Sequence, residues 1–135
     1  MIAWFKRSPF RRYQGPMIFW ALLLFAQSSI PSSELPRWEF LSQDKLIHFL
    51  EYVFFAFTVH RAITHQERFP LLLRRAYVFT IVIVALYGAS DELHQYFVPG
   101  RQASVLDWVA DCAGAVVFVA VHAWRRRILA RSAVS

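Results

Sequence analysis

The sequence predicts an all-α fold: an integral membrane four-helix bundle with both termini cytoplasmic. Three observations predict it. The chain is 57% hydrophobic and only 18% charged over 135 residues, too apolar for an ordinary soluble domain. Four apolar windows approach the roughly 20 residues that a helix needs to cross a bilayer. The lysines and arginines also gather beside alternate connections, as they do when a chain weaves through a membrane.

The windows cover residues about 13–30, 44–64, 76–94 and 104–124, within a single domain spanning 1–135. Breakers separate them: Pro31 and Pro36 follow the first, Pro70 interrupts the second connection, and Pro99-Gly100 suits the central positions of a type II turn in the third. The first window is the weakest. A basic stretch, an apolar core over residues 17–26 and then Gln27-Ser28-Ser29 also describe a secretory signal peptide. Removing it would leave the orientation of the other three helices unchanged.

Lys6, Arg7, Arg11 and Arg12 precede the first helix, Arg61, Arg68, Arg74 and Arg75 surround the second connection, and Arg125, Arg126, Arg127 and Arg131 follow the last. The positive-inside tendency makes that side cytoplasmic and places Arg37 and Arg101 outside. Of the nine carboxylates only Glu67 belongs to a cytoplasmic segment, so the acids sort to the outer side. The net charge of +6 is thereby absorbed by topology. No aromatic residues interleave the basic ones as a base-stacking surface requires, and nucleic acid is set aside as a partner. A single cysteine, Cys112, excludes an intramolecular disulfide and a zinc-type cysteine cluster.

The chemistry-bearing residues lie in the outer halves of the last three helices. Asp44, His48 and Glu51 are spaced i, i+4, i+7, one stripe of a helix that cannot face lipid without cost. Asp91 and Gln95 share a face at the end of the third helix, with Glu92 rotated from them by about 100°. Ser104, Asp107 and Asp111 share a face at the start of the fourth. Ser104 and Asp107 also read as a variant capping box, whereas Asp111 is too deep for capping. Arg101 can present its planar fork to a phosphate or form a salt bridge with Glu92 or Asp107. Lys45 can complete that anion pocket or snorkel to the interface. His48 is open to three readings: a general base, a metal ligand or a buried hydrogen-bonded histidine. His60, His65 and His122 read as residues of the cytoplasmic interface. The tryptophans Trp4, Trp20, Trp38, Trp108 and Trp124 read as interfacial belts.

Asp44-Lys45-Leu46-Ile47-His48-Phe49 with Tyr52, then Asp91-Glu92-Leu93-His94-Gln95, then Pro99-Gly100-Arg101 and Ser104-Val105-Leu106-Asp107 resemble the ordered motifs of the VanZ-like family of small membrane proteins. The likeness covers residues about 40–120. One position departs: the family often carries asparagine where Asp111 stands. The resemblance implies a link to the glycopeptide teicoplanin, to which the family's namesake confers low-level resistance, and a role in the cell envelope of a bacterial cytoplasmic (inner) membrane.

The leading expectation is a protein whose outer-leaflet site binds an anionic lipid or lipid-linked envelope precursor and, in a catalytic version, modifies it. Arg101 and Lys45 would hold the headgroup, His48, Glu92 and Asp107 would form the acid/base set, and Asp91 and Gln95 would orient them. Asp44, Glu51, Ser104 and Asp111 complete the binding residues. No metal ligands are assigned and the cofactor is unknown. One alternative is a metal-dependent membrane hydrolase using His48 with the surrounding acids, although no His-Glu-x-x-His helix and no second histidine at ligand spacing accompany it. The other is a non-enzymatic polar network that alters antibiotic access to the envelope. The oligomeric state is unknown.

Overall fold

The structure is a computed structural model that describes residues 9–34 and 41–133, with side chains over 10–34 and 45–133. Arg37, Trp4 and Trp38 lie outside the described residues, as does the side chain of Asp44. Five helices carry the described chain: α1 (Pro9–Ser28), α2 (Leu41–Thr64), the short α3 (Pro70–Arg74), α4 (Ala76–Gln95) and α5 (Val105–Ser132), with a 3-10 turn at Ser32–Glu34. There is no strand among the described residues. Residues 45–64 of α2, all of α4 and all of α5 are long and apolar enough to cross a membrane. α1 is not among those three, because Arg11, Arg12 and Gln14 occupy its first half.

The helices begin and end for identifiable reasons. Pro9 opens α1, a position where its missing N–H costs nothing, and Pro16 falls inside the helix because the start lies a turn earlier than residue 13. Pro70 likewise opens α3, which fills part of what the sequence predicts as a plain connection. α5 continues to Ser132 rather than stopping near Trp124. The apolar stretch marks what suits lipid, whereas Trp124 is followed by arginines, leucine and alanine that favour a helix equally well in water. Between α4 and α5, Arg101 donates its N–H to the Val98 carbonyl at 3.1 Å and Gly100 has φ of 75°, as a type II turn requires. The Ser32 N–H donates to Pro99 at 3.4 Å, which seats the 3-10 turn on this second turn.

α2 is the central element. It packs most extensively on α5 and also touches α1 and α4, while α4 packs on α5. Its apolar inner stripe of Tyr52, Phe55, Ala56, Val59 and Ile63 meets Leu24 of α1, Val84 of α4 and Ala115 of α5 in one core. Glycines let the backbones close in. A Cβ on Gly114 would sit 2.6 Å from the Phe49 carbonyl oxygen and 3.0 Å from the Val53 nitrogen, so α5 rests directly on the α2 backbone.

The distribution of polarity is inverted relative to a soluble protein. Phe19, Leu22, Leu86, Val105 and Leu129 are each more than 60% exposed, while Asp91, Glu92, Asp107, Gln95 and His48 are each less than 10% exposed and Asp111 is completely buried. Apolar side chains outward and carboxylates inward is the arrangement that lipid favours. Two of the predicted belt tryptophans instead tie helices together. The Trp20 indole N–H donates to the Glu51 carbonyl at 3.1 Å and that of Trp108 to the Ala85 carbonyl at 2.9 Å. Trp124 stays exposed.

Candidate functional site

The polar residues meet where the last turns of α4, the first turns of α5 and the first half of α2 converge. On α2 the residues pointing inward are His48, Tyr52, Phe55 and Val59, spaced as one helical face. On α4 the inward face is Thr80, Val84, Gly88, Asp91, Glu92 and Gln95, and on α5 it is Asp107, Asp111, Gly114 and Ala115. The same periodicity that builds the apolar core therefore delivers the acids to one place, one or two turns beyond it.

Two contacts cross from α2 to α5. Lys45 Nζ lies 2.7 Å from Asp107 Oδ1, so its ammonium faces the carboxylate of α5 in this structure. His48 Nδ1 lies 3.1 Å from Asp111 Oδ1, fully out of solvent on the aspartate's side. Asp111 rests against Gly88, where a Cβ would approach its Oδ2 to 2.8 Å. Only a glycine leaves that carboxylate its room.

Glu92 and Asp91 have different partners, as their rotation on the helix predicts. Gln95 Nε2 donates to Asp91 Oδ2 at 3.1 Å. Glu92 Oε2 accepts from the Ser104 backbone N–H at 2.6 Å, while Ser104 Oγ caps α5 by accepting from the Asp107 N–H at 3.3 Å. The expected capping box is thus completed from another helix: Glu92 takes the reciprocal place at the cap that Asp107 leaves when it turns to Lys45.

A cavity of about 10 Å³, the size of a single water, lies between α1, α2, α4 and Arg101. His48, Glu51, Tyr52, Asp91, Gln95 and Arg101 line it, joined by Gln27 and Ser28 of α1. Tyr52 OH, Asp91 Oδ1 and Arg101 Nε are buried without a hydrogen-bond partner among the described residues. The salt bridge of Arg101 to Glu92 or Asp107 does not form, since Lys45–Asp107 and His48–Asp111 are the ion pairs among the described residues. Next to this cavity, His48, Glu92 and Asp111 each offer one ligand atom within 4.8 Å of the others. Glu92 Oε1 and Asp111 Oδ2 are also buried without a partner. An imidazole and two carboxylates form a donor set suited to a divalent transition metal.

Sequence reading missed four contributors. Gln27 and Ser28 looked like the tail of a signal peptide, and Gly88 carried no chemical signal at all. Tyr52 stands in the resembling motif only as an aromatic, yet its hydroxyl reaches the site. Conversely His94, near the acids in sequence, points away and pairs with Ser29 Oγ at 2.9 Å. At the opposite end His65 is exposed as expected, but His60 is buried, its Nδ1 3.2 Å from Thr80 Oγ1 and its ring stacked on Tyr77. The reason is that position 60 continues the inward stripe of α2, which proximity to the membrane surface does not override.

Comparisons with known proteins bear on the whole arrangement. No curated protein and no solved structure matches the chain. The family model VanZ/LLP1 matches residues 5–126, a stretch that contains every residue of the site. With nearly the full length matched, and with the motif residues of three helices brought to one buried cluster, the chain belongs to the VanZ/LLP1 family.

Proposed function

We propose that this chain is an envelope protein of a bacterial cytoplasmic membrane that crosses it four times, α1 included, with both termini inside. Its outward-facing polar site binds the phosphate-bearing headgroup of an anionic lipid or lipid-linked precursor. The observation that carries the reading is Arg101. It lines the same cavity as His48, Glu51 and Asp91 yet makes no ion pair with the acids, and its Nε is buried without a partner. A planar fork held at the mouth of a buried acid/base cluster suits an incoming phosphate. His48, held by Asp111, supplies the base in a catalytic version, with Glu92 as its acid. Asp107 acts through Lys45, fixing α2 against α5.

The test is susceptibility to teicoplanin and vancomycin in a sensitive bacterium expressing wild type, Glu92→Gln or Asp107→Asn at matched membrane levels. Protection by wild type that both changes abolish is expected. Equal protection by all three would mean that these carboxylates only support the fold. No protection by wild type would remove the resistance role, and labelled lipid headgroups left unchanged by pure protein would remove catalysis while leaving binding.

A second reading is favoured by one observation, the His48, Glu92 and Asp111 atoms within 4.8 Å of one another. In this reading they hold a divalent cation that polarises the phosphate. Mn²⁺ added to chelator-stripped full-length protein is then expected to raise its thermal midpoint, with no rise in Glu92→Gln. Identical midpoints with Mn²⁺ and with excess chelator would sink the metal site.

A further inference from the structure

A second cavity lies at the other end of the molecule, between the last turns of α2 and the second half of α5. Its volume is about 530 Å³, and it is lined by His60, Arg61, Thr64 and His65 on one side and Phe118, His122 and Arg126 on the other, with Phe57 at its edge. No carboxylate lines it. Two guanidinium groups and three imidazoles thus share one concave surface without an internal counter-charge, and neither Arg61 nor Arg126 forms an ion pair among the described residues.

The groups are also held in place rather than left to wander. Thr80 Oγ1 donates its only hydrogen to the Ala76 carbonyl at 2.7 Å, so in its 3.2 Å contact with His60 Nδ1 it must accept. That assigns the proton to Nδ1 and leaves Nε2 for an external partner. His65 Nδ1 likewise lies 2.9 Å from the Arg61 carbonyl, which can only accept. The Arg61 guanidinium lies 5.3 Å from the Tyr13 ring centre, and its Nε is buried with no hydrogen-bond partner. His122 is fixed through Nδ1 by the Tyr77 hydroxyl at 3.1 Å. Each imidazole is therefore anchored through Nδ1: Nε2 of His60 and of His65 is left as an acceptor, while that of His122, whose Nδ1 can accept from the Tyr77 hydroxyl, can carry the ring proton and donate.

We propose that this cavity is a binding site for a phosphate group, separate from the outer site and independent of what that site does. Arg61 and Arg126 supply the charge and the bidentate geometry, His122 can supply a further donor through Nε2 while His60 Nε2 can accept from a headgroup hydroxyl, and Phe57 and Phe118 give the site an apolar wall. That wall and the volume fit a phospholipid headgroup better than a bare ion.

The experiment uses the full-length chain purified in neutral detergent. Native mass spectrometry measures retention of phosphatidylglycerol against phosphatidylcholine, and thermal unfolding is followed in inorganic phosphate against chloride at equal ionic strength. Arg126 is exposed, so Arg126→Gln spares the fold. Arg127→Gln removes the same charge one position away from the cavity. Preferential retention of phosphatidylglycerol, lowered about tenfold by Arg126→Gln and unchanged by Arg127→Gln, is the expected result. A midpoint rise in phosphate with the same variant pattern, and no lipid preference, would assign the site to soluble phosphate. Equal losses in Arg126→Gln and Arg127→Gln would reduce the effect to diffuse surface charge and overturn the site, as would failure of both anions to bind.

Discussion

Gly114→Leu is expected to prevent the chain from accumulating as a folded protein, and Gly114→Ala to lower its thermal midpoint in detergent by about 5–10 °C. The argument rests on what the new atoms would meet. The first carbon alone would lie 2.6 Å from the Phe49 carbonyl oxygen and 3.0 Å from the Val53 nitrogen, both backbone atoms of a helix that cannot swing aside as a flexible side chain does. Overpacking of this kind costs about 1–3 kcal/mol for a small addition. Leucine adds three further carbons to the most extensive helix pair in the molecule. The separation of α2 and α5 that it forces would also pull His48 from Asp111 and Lys45 from Asp107. Tryptophan fluorescence on heating would measure the alanine variant, and the amount of monodisperse protein after extraction the leucine variant. An alanine midpoint within 1 °C of wild type would show that the two backbones are not in contact.

Asp111→Leu is expected to destabilise the chain by about 3–5 kcal/mol, because it strands the His48 imidazole in a buried place that was shaped around its partner. Asp111→Asn keeps an acceptor at the same position and is expected to cost about 1 kcal/mol. The double change His48→Leu with Asp111→Leu is expected to recover most of the loss, since an apolar pair needs no desolvation of charge. A double-mutant cycle on thermal midpoints measures this directly. Additive losses would show that the 3.1 Å contact contributes nothing of its own. The asparagine result has further meaning, because the family resemblance places asparagine at this position in many members. A fold that tolerates it would show that packing at position 111 needs an acceptor of this shape rather than a charge.

Much of this architecture was legible in advance. Asp91 and Gln95 share a face because they are four apart, and they do hydrogen bond; Asp111 was too deep to cap α5, and it lies buried against His48. Helical periodicity governs such relations within one element. It is silent about neighbours in space, and there the sequence reading stopped short. Nothing local told Lys45 that Asp107 stands opposite, because a pairing across helices depends on which faces adjoin and at what height. Gly88 and Gly114 were passed over for a related reason. A glycine within a helix registers in sequence only as a weak helix former, while its use here is the close approach of another helix. Trp20 and Trp108 were assigned to the membrane surface by residue type, yet each indole reaches a carbonyl on the neighbouring helix. Proximity to the end of α2 misplaced His60 in the same way.

Glu92 serves two masters through one carboxyl group. Oε2 holds the first amide of the turn that starts α5, while Oε1 lies buried without a hydrogen-bond partner among the described residues, in the cluster with His48 and Asp111. Ser104 in turn tethers the segment that carries Arg101. A single side chain thus joins the buried cluster to the start of α5, three residues after Arg101 in the α4–α5 connection.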